Sequence, residues 1–213
     1  MIVAVDGPAA SGKGTLARRI AAHYGLDYLD TGALYRAVAR DVLKAGGDPA
    51  DETAAVAAAK ALDASTFGDP VLRTRGMGEA ASIVARIQAV RAVLLQYQRS
   101  IAGSRGGAVL DGRDIGTVVC PDADVKLFVT AAPAERARRR HAELTGAGSA
   151  ATFEEVLAEV ELRDARDRDR SASPLKQARD AHLLDTTNLD IEAAFKAAVE
   201  LIDAAVGHGG CAS

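Results

Sequence analysis

Apolar residues cluster along the chain in five short runs: IVAV at 2–5, LDYL at 26–29, AVL at 108–110, VKLFV at 125–129 and HLL at 182–184. Runs of this length with β-branched and aliphatic residues read as strands. Four of them are followed at once by aspartate: Asp6, Asp30, Asp111 and Asp185. Between them lie stretches that read as helices, at 14–24, 31–45, 52–62, 79–102, 133–144, 152–171 and 190–206. Local signals support several of these. Thr31 is placed to cap the second and Gly46-Gly47 to stop it. Pro133 opens the fifth at its first turn, and Thr152 with Glu155 has the spacing of a capping box. Strands alternating with helices predict an α/β fold with a five-stranded parallel sheet flanked by helices. Ligands of such sheets bind at the carboxyl ends of the strands, where the aspartates stand.

The same pattern divides the chain. TGAGS at 145–149 breaks the helical stretch after 133 and leaves an αα-hairpin suited to a mobile flap. A long excursion, 32–106, separates the second and third strands and suits a substrate-binding region. The expected organisation is one domain over 1–213: a core of 1–31, 107–132 and 175–206, the excursion at 32–106, and a lid at 133–174. The tail, 207–213, is expected to be disordered.

Composition narrows the picture. Aromatic residues are 4% and tryptophan is absent, so the core must be aliphatic. The net charge of −3 argues against a surface devoted to nucleic acid, which needs a positive field. Twenty arginines stand against six lysines. Compositional bias explains that ratio, and so does a need for planar forks that grip phosphate; only position separates the two. Two cysteines, Cys120 and Cys211, make neither a disulfide framework nor a metal site, which fits a reducing cytoplasm. MIVAVDG lacks the features of a signal peptide, and no apolar stretch reaches membrane-spanning length.

The sharpest motif is GPAASGKGT, directly after the first strand. Gly7, Pro8, Ala9, Ala10, Ser11, Gly12, Lys13, Gly14 and Thr15 form a Walker A loop in its proper strand–loop–helix context. Glycines let successive backbone N–H groups face one concavity, and the helix N-terminus adds its dipole. Lys13 supplies charge for the β- and γ-phosphates of a nucleotide. Position 14, where Ser or Thr usually stands, is glycine, and the hydroxyl follows at Thr15. The GKGT ending is closer to nucleoside monophosphate kinases than to GTPases, and no Asn-Lys-x-Asp guanine signature occurs.

LDTGALYR (29–36) and LDGRDIGT (110–117) follow the second and third strands. Asp111 ends an apolar run as a Walker B acid does and could hold Mg²⁺ through water, with Thr15 nearby; a turn-forming aspartate would look the same. Together the three motifs resemble bacterial cytidylate kinases, P-loop kinases of the nucleoside monophosphate kinase family, along nearly the whole chain. The resemblance implies ATP-dependent transfer of a phosphoryl group to CMP or dCMP, with Mg²⁺ accompanying ATP. It implies that Ser82, Arg91 and Asp114 read cytosine. It places Arg36, Arg113 and Arg170 on the acceptor phosphate, Arg163 and Asp167 on the sugar, and Thr31 at the acceptor phosphate or base. Many relatives carry a longer insert with a small sheet after the second strand; LDASTFGDPVLRTRG (62–76) leaves room for a short hairpin at most.

An acceptor phosphate is already largely ionised near neutral pH, so the reaction needs no general base. None of the four histidines demands a catalytic role. The requirement is cations around one point and a lid that excludes water. Lys13, Arg113, Arg163 and Arg170 are the candidates for catalysis. ERARRRH (135–141) puts Arg136 and Arg140 on one helical face, suited to covering ATP with one guanidinium on adenine; a solvated basic helix reads identically. In RDARDRDR (163–170), Arg163, Asp167 and Arg170 fall at i, i+4 and i+7, one stripe, leaving Asp164, Arg168 and Asp169 for solvent and Arg166 unassigned. Alternatives are a P-loop kinase for UMP, AMP or shikimate, and a nucleic-acid-binding P-loop protein. The latter lacks aromatic stacking platforms. ATP and CMP or dCMP are the expected partners, with no nucleic acid, no membrane and a monomeric state.

Overall fold

The computed structural model describes residues 1–170 and 173–209. Five parallel strands, β1 (Ile2–Asp6), β2 (Asp27–Asp30), β3 (Ala108–Gly112), β4 (Val125–Thr130) and β5 (His182–Asp185), form one sheet in the order β2-β3-β1-β4-β5. In β1, Val3 and Val5 face one side and Ala4 the other, the two-residue alternation of a strand. All three are fully buried, as parallel strands covered on both faces require.

On one face Val3, Val5, Val109, Leu127 and Val129 pack with Leu16 and Ile20 of α1 (Lys13–Tyr24) and Ile202 of α8 (Ile191–Gly209). The other face packs Ala4 and Leu110 against α2 (Thr31–Lys44) and beyond it α3 (Glu52–Lys60), α4 (Arg75–Val84) and α5 (Gln88–Ala102). Helices α6 (Pro133–Gly146) and α7 (Phe153–Arg168) form a hairpin with its own small core of Ala137, Leu144, Val156 and Val160.

Several boundaries differ from the sequence expectation. Asp30, not Thr31, caps α2: its carboxylate accepts the Ala33 N–H, while the Thr31 hydroxyl donates to the Asp111 carbonyl at 2.7 Å. The expected helix at 79–102 is two helices. The turn at 85–87 brings the α5 residue Arg91 back to donate to the Ala85 carbonyl at 3.3 Å. The 62–76 stretch makes no hairpin; it forms two 3-10 turns, Ala64–Gly68 and Pro70–Arg73, capped by Asp63 and Asp69. Helix α7 ends at Arg168, so Arg170 lies beyond it. The tail expected to be disordered is helical as far as Gly209; 210–213, with Cys211, lie outside the described residues. The capping box at Thr152 and Glu155 is present in both directions.

Candidate active site

The site lies at the carboxyl ends of β1, β2 and β3. The loop between β1 and α1 is pressed onto β4: a Cβ at Gly7 would stand 2.0 Å from the Val129 carbonyl oxygen, so only glycine fits. Ala10 adopts φ 58°, a left-handed conformation that a non-glycine residue keeps only when its surroundings hold it. Lys13 donates to the Pro8 carbonyl at 3.3 Å. A side chain at Gly14 would meet Asp111 Oδ2 at 3.0 Å, a physical reason for the missing hydroxyl. Thr15 is exposed one residue further along the helix.

Strand-end aspartates here take four different roles. Asp6 accepts the N–H groups of Ile115 and Gly116 at 2.7 and 2.8 Å, fixing the loop after β3. Asp30 caps α2 and holds Arg36 at 2.7 Å. Asp185 closes the turn to Thr187. Among the described residues, the Asp111 carboxylate takes no hydrogen bond; it lines a cavity of 260 Å³. Burial, reinforced by Asp30, pushes the Asp111 carboxyl well above its ordinary value.

That cavity is walled by Tyr35, Ala81 and Ala85 and carries Ser82, Arg91 and Asp114. Arg91 hydrogen-bonds Asp114. Arg36, Arg113, Arg163, Asp167 and Arg170 line the same space. Asp167 takes Arg113 Nε at 2.7 Å on one oxygen and Arg170 at 2.5 Å on the other. Arg113 and Arg170 hold its carboxyl below the usual value despite burial. A second cavity of 680 Å³ spans the phosphate loop from Ala9 to Thr15 and the inner faces of α6 and α7, including Arg140. Lys13, Asp30, Arg36 and Arg163 line both spaces, so the two meet there.

The family model for cytidylate kinase matches residues 3–204. A cytidylate kinase of Methylobacterium sp. (strain 4-46) is 63% identical over 204 residues, covering 96% of this chain and 97% of that protein. One of Afipia carboxidovorans is 58% identical over 205 residues, covering 96% and 98%. The chain belongs to the cytidylate kinase family. It is an ATP-dependent phosphotransferase acting on CMP. A crystal structure of an uncharacterised Eubacterium ventriosum protein shares the fold at TM-score 0.56 and 14% identity, covering 95% of this chain and 98% of that one. Among the described residues no helix is long and apolar enough to cross a membrane.

In this cytidylate kinase the structure brings the expected acceptor residues to one cavity but divides the pair expected over ATP. Arg140 lines the second cavity. Arg136 does not: it is 2% exposed, with its guanidinium buried against Asp164 and donating to the Ala9 and Ala131 carbonyls. It has no open face for adenine, which corrects the ATP-contact expectation for this residue. Asp164, expected at the solvent side of α7, is buried for the same reason, while Arg168 and Asp169 are exposed as expected. Arg166 lies 3.5 Å from Glu79.

Sequence reasoning also passed over residues the structure places at the site. Asp30 was legible as a strand-end acid six residues before Arg36. Tyr35 lines the acceptor cavity beneath Arg91, its ring centroid 5.6 Å from the guanidinium carbon. Arg139, one position from the residues singled out, donates to the Thr186 hydroxyl at 3.0 Å and the Thr186 carbonyl at 2.6 Å.

Proposed function

We propose that the chain transfers the γ-phosphoryl group of ATP to CMP or dCMP, with Lys13, Arg113, Arg163 and Arg170 carrying the charge chemistry. One observation supports this above the rest: Lys13, Arg36 and Arg163 stand where the acceptor cavity meets the phosphate-loop cavity, and Arg113 and Arg170 line the acceptor cavity beside them. The loop from Gly7 to Thr15 offers the N–H groups of its residues other than Pro8, and the α1 dipole, to the donor phosphates. Arg36, Arg113 and Arg170 hold the acceptor phosphate, whose attacking oxygen is already ionised. Arg163 and Lys13 stand between donor and acceptor, where charge spreads over the transferring group.

Cytosine fits the Ser82, Arg91 and Asp114 corner, because the Asp114 carboxylate can accept from its exocyclic amine. Uracil presents an acceptor there and would leave two acceptors facing each other. The Asp167 oxygens each retain a lone pair for a sugar hydroxyl, beside Arg163. Thr31 donates its hydrogen to Asp111, so towards a ligand its oxygen can only accept. Arg140 covers the donor phosphates from the lid.

Cytidylate kinases use Mg²⁺ with ATP. The residues fit it: a buried carboxylate at Asp111 that takes no hydrogen bond among the described residues, and the Thr15 hydroxyl beside the loop. Asp111 and Thr15 would hold the ion through water. Bound there, the ion would supply positive charge to offset that of the donor phosphates. The proposed setting is a monomer in the cytoplasm, without nucleic acid.

A coupled ADP-release assay across CMP, dCMP, UMP, AMP and shikimate tests the reading. CMP and dCMP should be the best acceptors; preference for any other would refute it. A companion test is RNA binding at two salt concentrations. The absence of salt-sensitive binding is the expected result.

A further inference from the structure

We propose that Arg136 is a positioning residue of the phosphate loop, joining that loop to lid helix α7 through Asp164. The guanidinium is committed on every side. Nε donates to the Ala131 carbonyl at 2.8 Å. One terminal nitrogen donates to the Ala9 carbonyl at 3.1 Å and to Asp164 Oδ1 at 3.0 Å, and the other donates to Asp164 Oδ2. Both partners are buried, so the pair touches neither nucleotide.

Its effect follows from what a phosphate loop requires. The loop binds anions only if its N–H groups point inward, which obliges carbonyls to point outward. Outward carbonyls in a buried loop need donors. Ala9 finds its donor in Arg136. Ser11 has one within reach at 3.2 Å in the Thr186 hydroxyl, which shares its single hydrogen with the Thr130 carbonyl at 3.0 Å and accepts from Arg139. Between these two anchored carbonyls lies Ala10 in its left-handed conformation. Arg136 therefore holds the strained turn in the shape that aims its N–H groups at a polyphosphate.

Asp164 extends the joint to the acceptor side. It directly follows Arg163 and lies three residues before Asp167, whose carboxylate holds Arg113 and Arg170. Ala9 is thus tied by one guanidinium and one turn of helix to the clamp on the acceptor phosphate. A buried ion pair adds little net stability compared with apolar residues of the same shape. This one supplies a fixed spacing between two binding surfaces. The inference rests on the reading that residues 7–15 hold the phosphates of ATP.

The experiment compares ATP with inorganic tripolyphosphate by calorimetry, alongside initial rates. Three forms are used: Arg136→Lys, Asp164→Asn, and Arg136→Met combined with Asp164→Leu. The double variant removes both buried charges together and so protects the fold, which circular dichroism and Tm would verify. In Arg136→Lys and the double variant, affinity for both ligands should fall by a common factor of about 10 to 100. KM for CMP should rise and kcat should fall in the double variant and in Asp164→Asn. Loss of ATP affinity with tripolyphosphate unchanged would show that Arg136 acts on the base, and would overturn the proposal. A lower Tm with both affinities and all rates intact would reduce the pair to a structural bridge, and would also overturn it. If the wild-type protein does not bind tripolyphosphate in competition with ATP, it is the phosphate-loop reading that fails, and the joint with it.

Discussion

On the acceptor side each arginine in the cavity except Arg163 is held by a carboxylate: Arg36 by Asp30, Arg91 by Asp114, Arg113 and Arg170 by Asp167. Where that side meets the donor side the arrangement is the opposite. Among the described residues Lys13 hydrogen-bonds only the Pro8 carbonyl, and no carboxylate pairs with Arg163, whose Nε has no partner. Burial, together with Arg113, pulls the Arg163 guanidinium down to about 10 and the Lys13 ammonium well below its ordinary range. The difference is one of function. Paired arginines keep their geometry without substrate and can read shape. Half-buried cations that no carboxylate holds directly are unfavourable until a polyanion arrives, so the phosphates themselves supply the close counter-charge.

This contrast is most sharply tested at Lys13. Lys13→Met removes a desolvated charge that no carboxylate among the described residues hydrogen-bonds, although Asp111 and Asp30 act on it through space. Turnover should fall by about 10³-fold or more, while the Tm of the ligand-free protein stays level or rises. A large fall in Tm would show that Lys13 has a hidden structural partner and would remove the distinction between the two halves.

Asp167→Ala is the reverse case. The carboxylate is buried and both of its oxygens are taken, so its loss strands Arg113 and Arg170 together. Breaking such a pair costs about 3–5 kcal/mol, a fall in Tm of roughly 10 °C in a chain of this size. KM for CMP should rise as well, since both arginines lose their aim. Arg170→Ala leaves Arg113 still paired with Asp167, so turnover should drop by orders of magnitude with much less loss of Tm.

How far the sequence exposes this division depends on whether a contact lies along the chain or across it. The phosphate loop, the strand ends and the capping box are contiguous, and each is where its motif puts it. The stripe of Arg163 and Asp167 is helical phase, and it faces the cavity. Asp164 is one residue away on the same helix. Its burial depends on Arg136 of the neighbouring helix, which a helical wheel cannot place. The break at 85–87 has no glycine or proline to announce it; it is set by the reach of Arg91 to Ala85 and Asp114. The cap of α2 went to Asp30 rather than Thr31 because the Thr31 hydroxyl is drawn across to the Asp111 carbonyl, a tertiary contact.

Asp6 and Asp167 give the contrast a pH signature of opposite sign. Burial raises Asp6 to about 6 from the usual 3.8, despite its two backbone N–H donors. Folding therefore takes up a proton between those values, and stability falls as pH rises from about 4 to 6. Asp167 lies below 3.8, so its contribution is complete above about pH 4 and is lost as pH falls through its folded value. Denaturant titrations between pH 3 and 7 should show both arms, the Asp6 arm on the order of 3 kcal/mol. Asp167→Asn should flatten the acid arm alone. A protein whose stability rises monotonically from pH 4 to 6 would show Asp6 ionised at little cost.

The smallest effect is expected where the lid meets the acceptor region. Arg166 and Glu79 lie 3.5 Å apart with side chains 35% and 64% exposed, in α7 and α4. A pair so hydrated adds at most about 1 kcal/mol and often nothing measurable. Glu79→Gln should leave Tm within about 2 °C, with turnover unchanged. That weakness suits its position. Arg163 stands three residues before Arg166 on the same helix, beside Gly78, and a strong surface tie would slow any movement of α7 that admits substrates or releases products. A Glu79→Gln variant that releases product markedly faster would show the tie to be strong, and the lid closed by its own contacts rather than by the phosphates Arg163 awaits.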